Sequence, residues 1–319
     1  MHFSPVPMHI PDGFLSVLVS ALLWIVSIAI IAYSLRRVGR DLGERQAPLM
    51  GVLAAAIFAG QMLNFAVAGG TSGHLMGAAI ATILLGPWAA VLVMTSVVAV
   101  QALIFQDGGL LVLGANIFNM GIVGVFVAHW AYTTLRRLLN GRSWGVYVSG
   151  FSAAWLSIFI AALAVGLQLA LSGISPANLA IPAMAAVHAL IGIGEGLITV
   201  GALAFIKASR PDLLQAEQKK QAGVLVWVAG LALALGLAVL SPLASASPDG
   251  LEWVAEQQGF LDAARAPLYQ VIPDYVLPGV SNEALATILA GILGALLVFG
   301  VTFGVAYARR KSQVSSQPR

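Results

Sequence analysis

Nine apolar windows set almost end to end are what most constrains this chain. They cover about Phe14 to Leu35, Leu49 to Ala68, His74 to Gly86, Pro87 to Phe105, Leu113 to Leu135, Trp144 to Leu171, Ile181 to Lys207, Gly223 to Ser245 and Glu283 to Ala308. In hydrocarbon every backbone N–H and C=O must find its partner inside the chain, so windows of this length fold as α-helices. The expected fold is an all-α polytopic membrane protein. A seven-helix bundle is followed by two C-terminal transmembrane helices that flank a small acidic extracytoplasmic segment. One bundle helix is short: the third window holds about a dozen residues, too few to cross a core of roughly 30 Å, and reads as a helix buried among the others. Gly86-Pro87 then turns the chain into the fourth window.

Composition agrees, with 59% hydrophobic and only 9% charged residues, and it excludes an ordinary soluble enzyme. No A-x-A cleavage site follows a short apolar leader, so the first window is expected to be a retained span. Cys is absent, which removes disulfides, thiolate metal sites and Cys nucleophiles. No nucleic-acid partner and no bound organic cofactor are expected.

Charge placement orients the chain. Arg36, Arg37, Arg40 and Arg45, then Arg136, Arg137 and Arg142, then Lys207, Arg210, Lys219 and Lys220, and finally Arg309, Arg310, Lys311 and Arg319 fall on one side of a nine-span path. Of the 16 basic residues only Arg265 falls on the other. The basic side is expected to be cytoplasmic, which puts the N-terminus outside a bacterial-type cytoplasmic membrane and the C-terminus inside. Also outside are the Gly69 to Gly73 loop, the Gln106 to Leu110 loop and the Ala246 to Asn282 segment. That last segment carries Asp249, Glu252, Glu256, Asp262 and Asp274, with an amphipathic helix expected near Leu251 to Ala264. Residues 1–13 read as an N-terminal extension and loop, 14–207 as the seven-span domain, 208–222 as a cytoplasmic linker and 223–319 as a two-span appendage.

Polar side chains inside a membrane are costly and usually face a cavity or the bundle interior. Gln61, Asn64, His74, Gln101, Asn116, Asn119, Gln168 and His188 fall in one outer layer when residues are counted inward at about 1.5 Å each. Glu195 lies near the midplane, one heptad after His188. Amides and histidines also bond helices together. Their gathering on the side where the N-terminal segment emerges favours a site that opens outward.

That segment is Met8-His9-Ile10-Pro11-Asp12-Gly13-Phe14. If Met8 were the first residue, its α-amine, the His9 backbone nitrogen and His9 Nδ1 would close a five-membered and a six-membered chelate ring on one cation. Three nitrogens in a plane favour Ni(II) or a similar late transition metal over Mg(II), Ca(II) or Zn(II). His74, after Gly69-Gly70-Thr71-Ser72-Gly73, would supply a fourth nitrogen, as neutral imidazoles commonly do. As an internal residue Met8 has an acylated nitrogen and the chelate fails. Translation starting at Met8, a chelate by Met1 and His2, or a different binding mode are the alternatives. His188 supports either helix pairing or the site.

These motifs resemble the substrate-capture membrane component of cobalt and nickel energy-coupling-factor (ECF) transporters. The resemblance is carried by Met8 to Phe14, Gly69 to Leu75, Gly108-Gly109 with Gly114-Ala115-Asn116-Ile117-Phe118-Asn119-Met120-Gly121, and His188 to Glu195. Pro248-Asp249-Gly250-Leu251-Glu252 with the last span looks like the two-span, PDGLE-type accessory component of the same transporters, fused to the C-terminus. The resemblance implies Met8, His9 and His74 as metal ligands, Ni2+ or Co2+ as the transported substrate, and a transport subunit rather than an enzyme. It also implies cytoplasmic ATP-binding-cassette ATPase subunits and a coupling transmembrane protein as partners, consistent with the lack of any G-x-x-x-x-G-K-[ST] motif in this chain. Nickel is slightly favoured, with cobalt uptake for cobalamin biosynthesis next. The alternative is a proton-coupled secondary metal transporter that uses His188 and Glu195 as a relay.

Overall fold

The computed structural model of the protein describes residues 9–41, 46–214 and 224–314. Within them α1 (Val17–Asp41), α2 (Gln46–Gln61), α3 (Ala78–Leu85), α4 (Pro87–Val100), α5 (Leu113–Asn116), α6 (Gly124–Leu138), α7 (Gly145–Leu171) and α8 (Ala177–Ser209) form one bundle. Two further long helices, α9 (Val224–Val239) and α11 (Glu283–Val314), pack against α2, and the short α10 (Gly250–Gln258) lies in the segment between them. Six stretches are long and apolar enough to cross a membrane: Val17–Val38, Pro87–Phe105, Leu113–Leu138, Gly145–Leu171, Ala177–Ser209 and Glu283–Arg309. The chain is therefore an all-α polytopic membrane protein. Apolar stretches in α2 (Ala47–Gln61) and α9 (Trp227–Val239) are shorter.

The third window behaves as a short buried helix. Eight residues form α3, between Gly77 (φ 81°) and Gly86 (φ 79°), and Pro87 opens α4 at the position where a missing N–H costs least. Gly192 and Gly196 serve packing within the bundle: a Cβ on the first would meet Trp155 of α7 and on the second Phe151.

Three details differ from the sequence reading. The Gly69 to Gly73 stretch is not a plain loop but the turn and second strand of a hairpin, β1 (Phe65–Val67) with β2 (Thr71–Gly73), in register Phe65 with Gly73. Gly69 and Gly70, at φ 88° and 81°, make the turn because the left-handed region is open to glycine. The helix expected to reach Ala264 stops at Gln258, where Gly259 (φ 72°) donates back to Ala255 O and Glu256 O as a C-cap. Finally, α4 widens into a π-helical turn over Gln101–Phe105, and α5 passes through another over Ile117–Val123 before α6.

The segment between α9 and α11 lies across the end of the bundle that carries the N-terminal residues. Ser72 N donates to Pro248 O (2.8 Å), and Ser72 forms a parallel bridge with Asp249, so the segment adds itself to the edge of β2. Ser245 N reaches Asn64 O (2.8 Å), Arg265 N reaches Asp12 O (2.7 Å), and Ile272 N reaches Ile104 O (3.0 Å).

Candidate metal centre

The first described residues are threaded into the bundle by main-chain bonds. Ile10 N donates to Asn116 Oδ1 (3.0 Å) and Asn116 Nδ2 donates to Ile10 O (3.1 Å). Ile10 O also accepts from Gly109 N (2.9 Å). Asp12 accepts from three successive amides, Leu110 (3.2 Å), Leu111 (2.9 Å) and Val112 (3.2 Å), just before α5. Gly108 sits at φ 94° against this segment, and a Cβ there would lie 2.8 Å from His9 Cβ. The glycine pair is thus explained by the close approach of a second backbone.

His9 is buried, and its N–H donates to Asp107 Oδ1 (3.2 Å). The same oxygen lies 2.9 Å from His9 Nδ1. Asp107 Oδ2 accepts from the Tyr275 hydroxyl at 2.6 Å. Burial disfavours the charged His9 ring, but the Asp107 carboxylate, helped by Asp249, outweighs it and raises the His9 pKa above its ordinary value.

His74 follows β2. Its Nδ1 faces Leu75 O at 3.1 Å, which leaves Nε2 for another partner, and its ring centroid is 5.9 Å from that of His9. Burial, then the neighbouring His9, lower its pKa to about 4, so the ring is neutral at pH 7, the form that binds metals. His9, His74 and His188 share a cavity of about 80 Å³ with Asn119, Met184 and Asp249. A wider cavity of about 250 Å³ begins where His9 and Asp249 also form part of the wall and runs past Asp12, Glu252, Tyr269 and Asp274. Burial pushes the Asp249 carboxyl up to about 8.

The other sequence candidates fall into distinct roles. Glu195 on α8 accepts from Met76 N (2.7 Å) and Gly77 N (3.0 Å), fixing the stretch between His74 and α3. His188 Nδ1 faces Met184 O (2.9 Å) one turn back. Asn119 and Gln168 form a reciprocal amide pair at 2.8 and 2.7 Å. Gln61 Nε2 donates to Met76 O (2.9 Å). Asn64 is buried beside the hairpin, and Gln101 is buried where α4 widens. Met8, Met1 and His2 lie outside the described residues. Among the described residues no three His, Cys, Asp or Glu side chains gather closely enough to hold a metal ion; a chelate of the kind read from the sequence takes two of its four nitrogens from main chain.

The sequence reading placed Asp107 only within an outer loop and Tyr275 only in a motif. A signal was present for the first: between Glu44 and Glu195 Asp107 is the one acidic residue, and a lone acid beside a glycine pair in so apolar a chain asks for a partner. Nothing in the sequence announced Tyr275 as that partner.

Residues 9–213 match the family described as the cobalt uptake substrate-specific transmembrane region, CbiM, and residues 224–311 match the PDGLE domain. The chain belongs to the CbiM family. A chain of Archaeoglobus fulgidus, assigned provisionally as a fused nickel transport protein NikMN, is 39% identical over 95% of this CbiM-family chain and 99% of its own length. The fused nickel transport protein NikMN of Rhodobacter capsulatus is 32% identical over 92% and 96% of the two chains. The cobalt transport protein CbiM of Sorangium cellulosum is 34% identical over 66% of this chain and 96% of its own. The crystal structure of a truncated transition metal transporter superposes with a TM-score of 0.57 at 31% identity, covering 63% of this chain and 99% of that one. This CbiM-family chain is thus a substrate-capture component for transition-metal uptake with a PDGLE part fused behind it.

Proposed function

We propose that the chain captures Ni(II) at the N-terminal face of its bundle and delivers it to an ATP-driven uptake system. The observation that carries this reading is the convergence of His9 N and His9 Nδ1 on one point, now held by Asp107 Oδ1 at 3.2 and 2.9 Å, beside the neutral ring of His74. With the α-amine of Met8 and a ring nitrogen of His74 the set becomes four nitrogens, which suits planar Ni(II). The names of two nearly full-length relatives support nickel over cobalt; Co(II) is the second choice. His9 faces the periplasmic side in this reading, the basic clusters lie in the cytoplasm, and residues 14–207 form the capture domain with 223–319 as the accessory domain. Energy comes from cytoplasmic ATPase subunits through a coupling membrane protein. In the relay alternative His188 and Glu195 would pass protons, yet each is bonded to main chain, at Met184 O and at Met76 and Gly77 N–H.

The test is Ni(II) and Co(II) binding by purified protein in two forms, one beginning at Met1 and one at Met8, each with and without His74→Ala. Tight binding by the Met8 form alone, lost with His74→Ala, is the expected result. Equal binding by both forms, insensitive to His74, would remove the terminal-amine chelate.

A further inference from the structure

Tyr275 belongs to the PDGLE part, 168 residues beyond Asp107 in sequence, yet its hydroxyl ends inside the capture site. The ring is fully buried, stacked on Phe105 with centroids 4.8 Å apart and planes 14° apart, and tilted against Phe58 at 6.1 Å. The backbone that delivers it is unusual: Asp274 and Tyr275 both have positive φ, 51° and 57°. Non-glycine residues hold such angles only where their surroundings impose them. Here the turn, the aromatic stack and the bond from Ile272 N to Ile104 O together drive the phenol inward.

The consequence falls on His9. Asn116 and Gly109 hold the chain at Ile10 but not the imidazole. His9 Nε2 has no hydrogen-bond partner among the described residues, so the ring's orientation is set at Nδ1, 2.9 Å from Asp107 Oδ1. That oxygen also receives the His9 N–H, and the other carboxylate oxygen is tied to Tyr275.

We propose that Tyr275 is a positioning residue for metal capture: by holding Asp107 it keeps the backbone nitrogen and Nδ1 of His9 turned toward one point before the ion arrives. This rests on the reading of His9 as a chelating ligand. A chelate needs both nitrogens on the same side of the residue. Ordering a chain end and its ring at the moment of binding subtracts from affinity, whereas order established beforehand does not. The accessory part thus improves the ligand geometry without touching the ion.

The test uses the full chain beginning at Met8, purified in detergent and titrated with Ni(II), following the visible absorption and circular dichroism of the chelate. Tyr275→Phe keeps the ring stack and removes only the hydroxyl. Its Ni(II) affinity is expected to fall about tenfold or somewhat more, the size of a hydrogen bond to a charged group, with the bound spectrum unchanged. In an Asp107→Ala background the same substitution should add nothing, because the hydroxyl acts through that carboxylate. A purely structural tie would lower the melting temperature of the metal-free protein and leave the affinity alone. Parental affinity in Tyr275→Phe, or a loss that persists in full when residue 107 is already Ala, overturns the proposal. His9→Ala separates the two readings. If it binds Ni(II) like the parent, the chelate itself is wrong; if it loses binding while Tyr275→Phe does not, only the role of Tyr275 falls.

Discussion

Asn116→Ala should cost Ni(II) affinity, while Asn119→Ala, three residues along the same helical path, should cost mainly stability. Asn116 gives Ile10 both an acceptor at 3.0 Å and a donor at 3.1 Å. After truncation Ile10 O still receives Gly109 N at 2.9 Å, but the Ile10 N–H, in a residue only 3% exposed, loses its acceptor. A buried donor left unsatisfied costs about 1–3 kcal/mol. Taking about 2 kcal/mol, the docked arrangement of the N-terminal segment is disfavoured about thirtyfold at 1.4 kcal/mol per factor of ten. Apparent affinity scales with the fraction of molecules in the binding-competent arrangement, so up to that factor passes into the dissociation constant. The loss at Asn119 is different in kind. Its partner is Gln168 of α7, and Asn119→Ala strands that amide at a helix–helix contact without loosening Ile10. Isothermal titration with Ni(II) alongside thermal unfolding of the metal-free proteins separates the effects. Parental affinity in Asn116→Ala, or an equal fall in Asn119→Ala, would refute the reasoning.

Gly108→Ala forces a side chain onto φ 94° and places its Cβ 2.8 Å from His9 Cβ, so Ni(II) binding should drop by more than about tenfold; a titration that matches the parent would show the segment can move aside. Asp249 holds its proton to about pH 8 when folded, against 3.8 for the ordinary carboxyl. The folded form therefore binds the extra proton between those values, and this group's contribution makes metal-free stability fall as pH rises from about 4 to about 8 and level off above. Asp249→Asn should flatten that part of a melting-temperature profile, and an unchanged slope would contradict it. Glu195→Gln replaces an acceptor pair for Met76 N and Gly77 N with a group that can accept through one oxygen only, costing about 1–3 kcal/mol of stability. Uptake by the parent should survive collapse of the proton gradient and fail on ATP depletion; the opposite pattern would favour the relay.

The helical architecture was legible because the apolar windows leave the backbone few alternatives, and the short third helix because its length was countable. What the windows could not carry was the behaviour of the glycines. Gly69 and Gly70 read as freedom, while the structure uses them as a hairpin turn whose second strand recruits Asp249. The same limit applies at the site. His9, His74, Asn116 and Glu195 stood out as polar residues in apolar surroundings, and all are buried or partly buried near one another. Local pattern did not assign them partners, since Glu195 bonds amides 118 and 119 residues away and Asn116 a segment 106 residues away. The carboxylate beside His9 was visible as an isolated acid, but its link to a phenol in another part of the chain depends on tertiary packing alone.

Two π-helical turns stand on either side of the glycine pair, over Gln101–Phe105 and Ile117–Val123. A π turn holds one more residue than the α turn it replaces, so each marks a place where the chain carries a residue that an uninterrupted helix would not. Deleting one residue from the first would let α4 run on as a regular helix and rotate everything after it by about 100° per residue removed. Asp107, immediately beyond that turn, would swing off His9 while every hydrophobic contact upstream stayed intact. Insertions and deletions at residues 101–105 should therefore abolish metal capture at lengths that leave membrane insertion and folding untouched. The spacing of this site is written into the helix as a count of residues, and a change in that count would disable it more thoroughly than most changes of side chain.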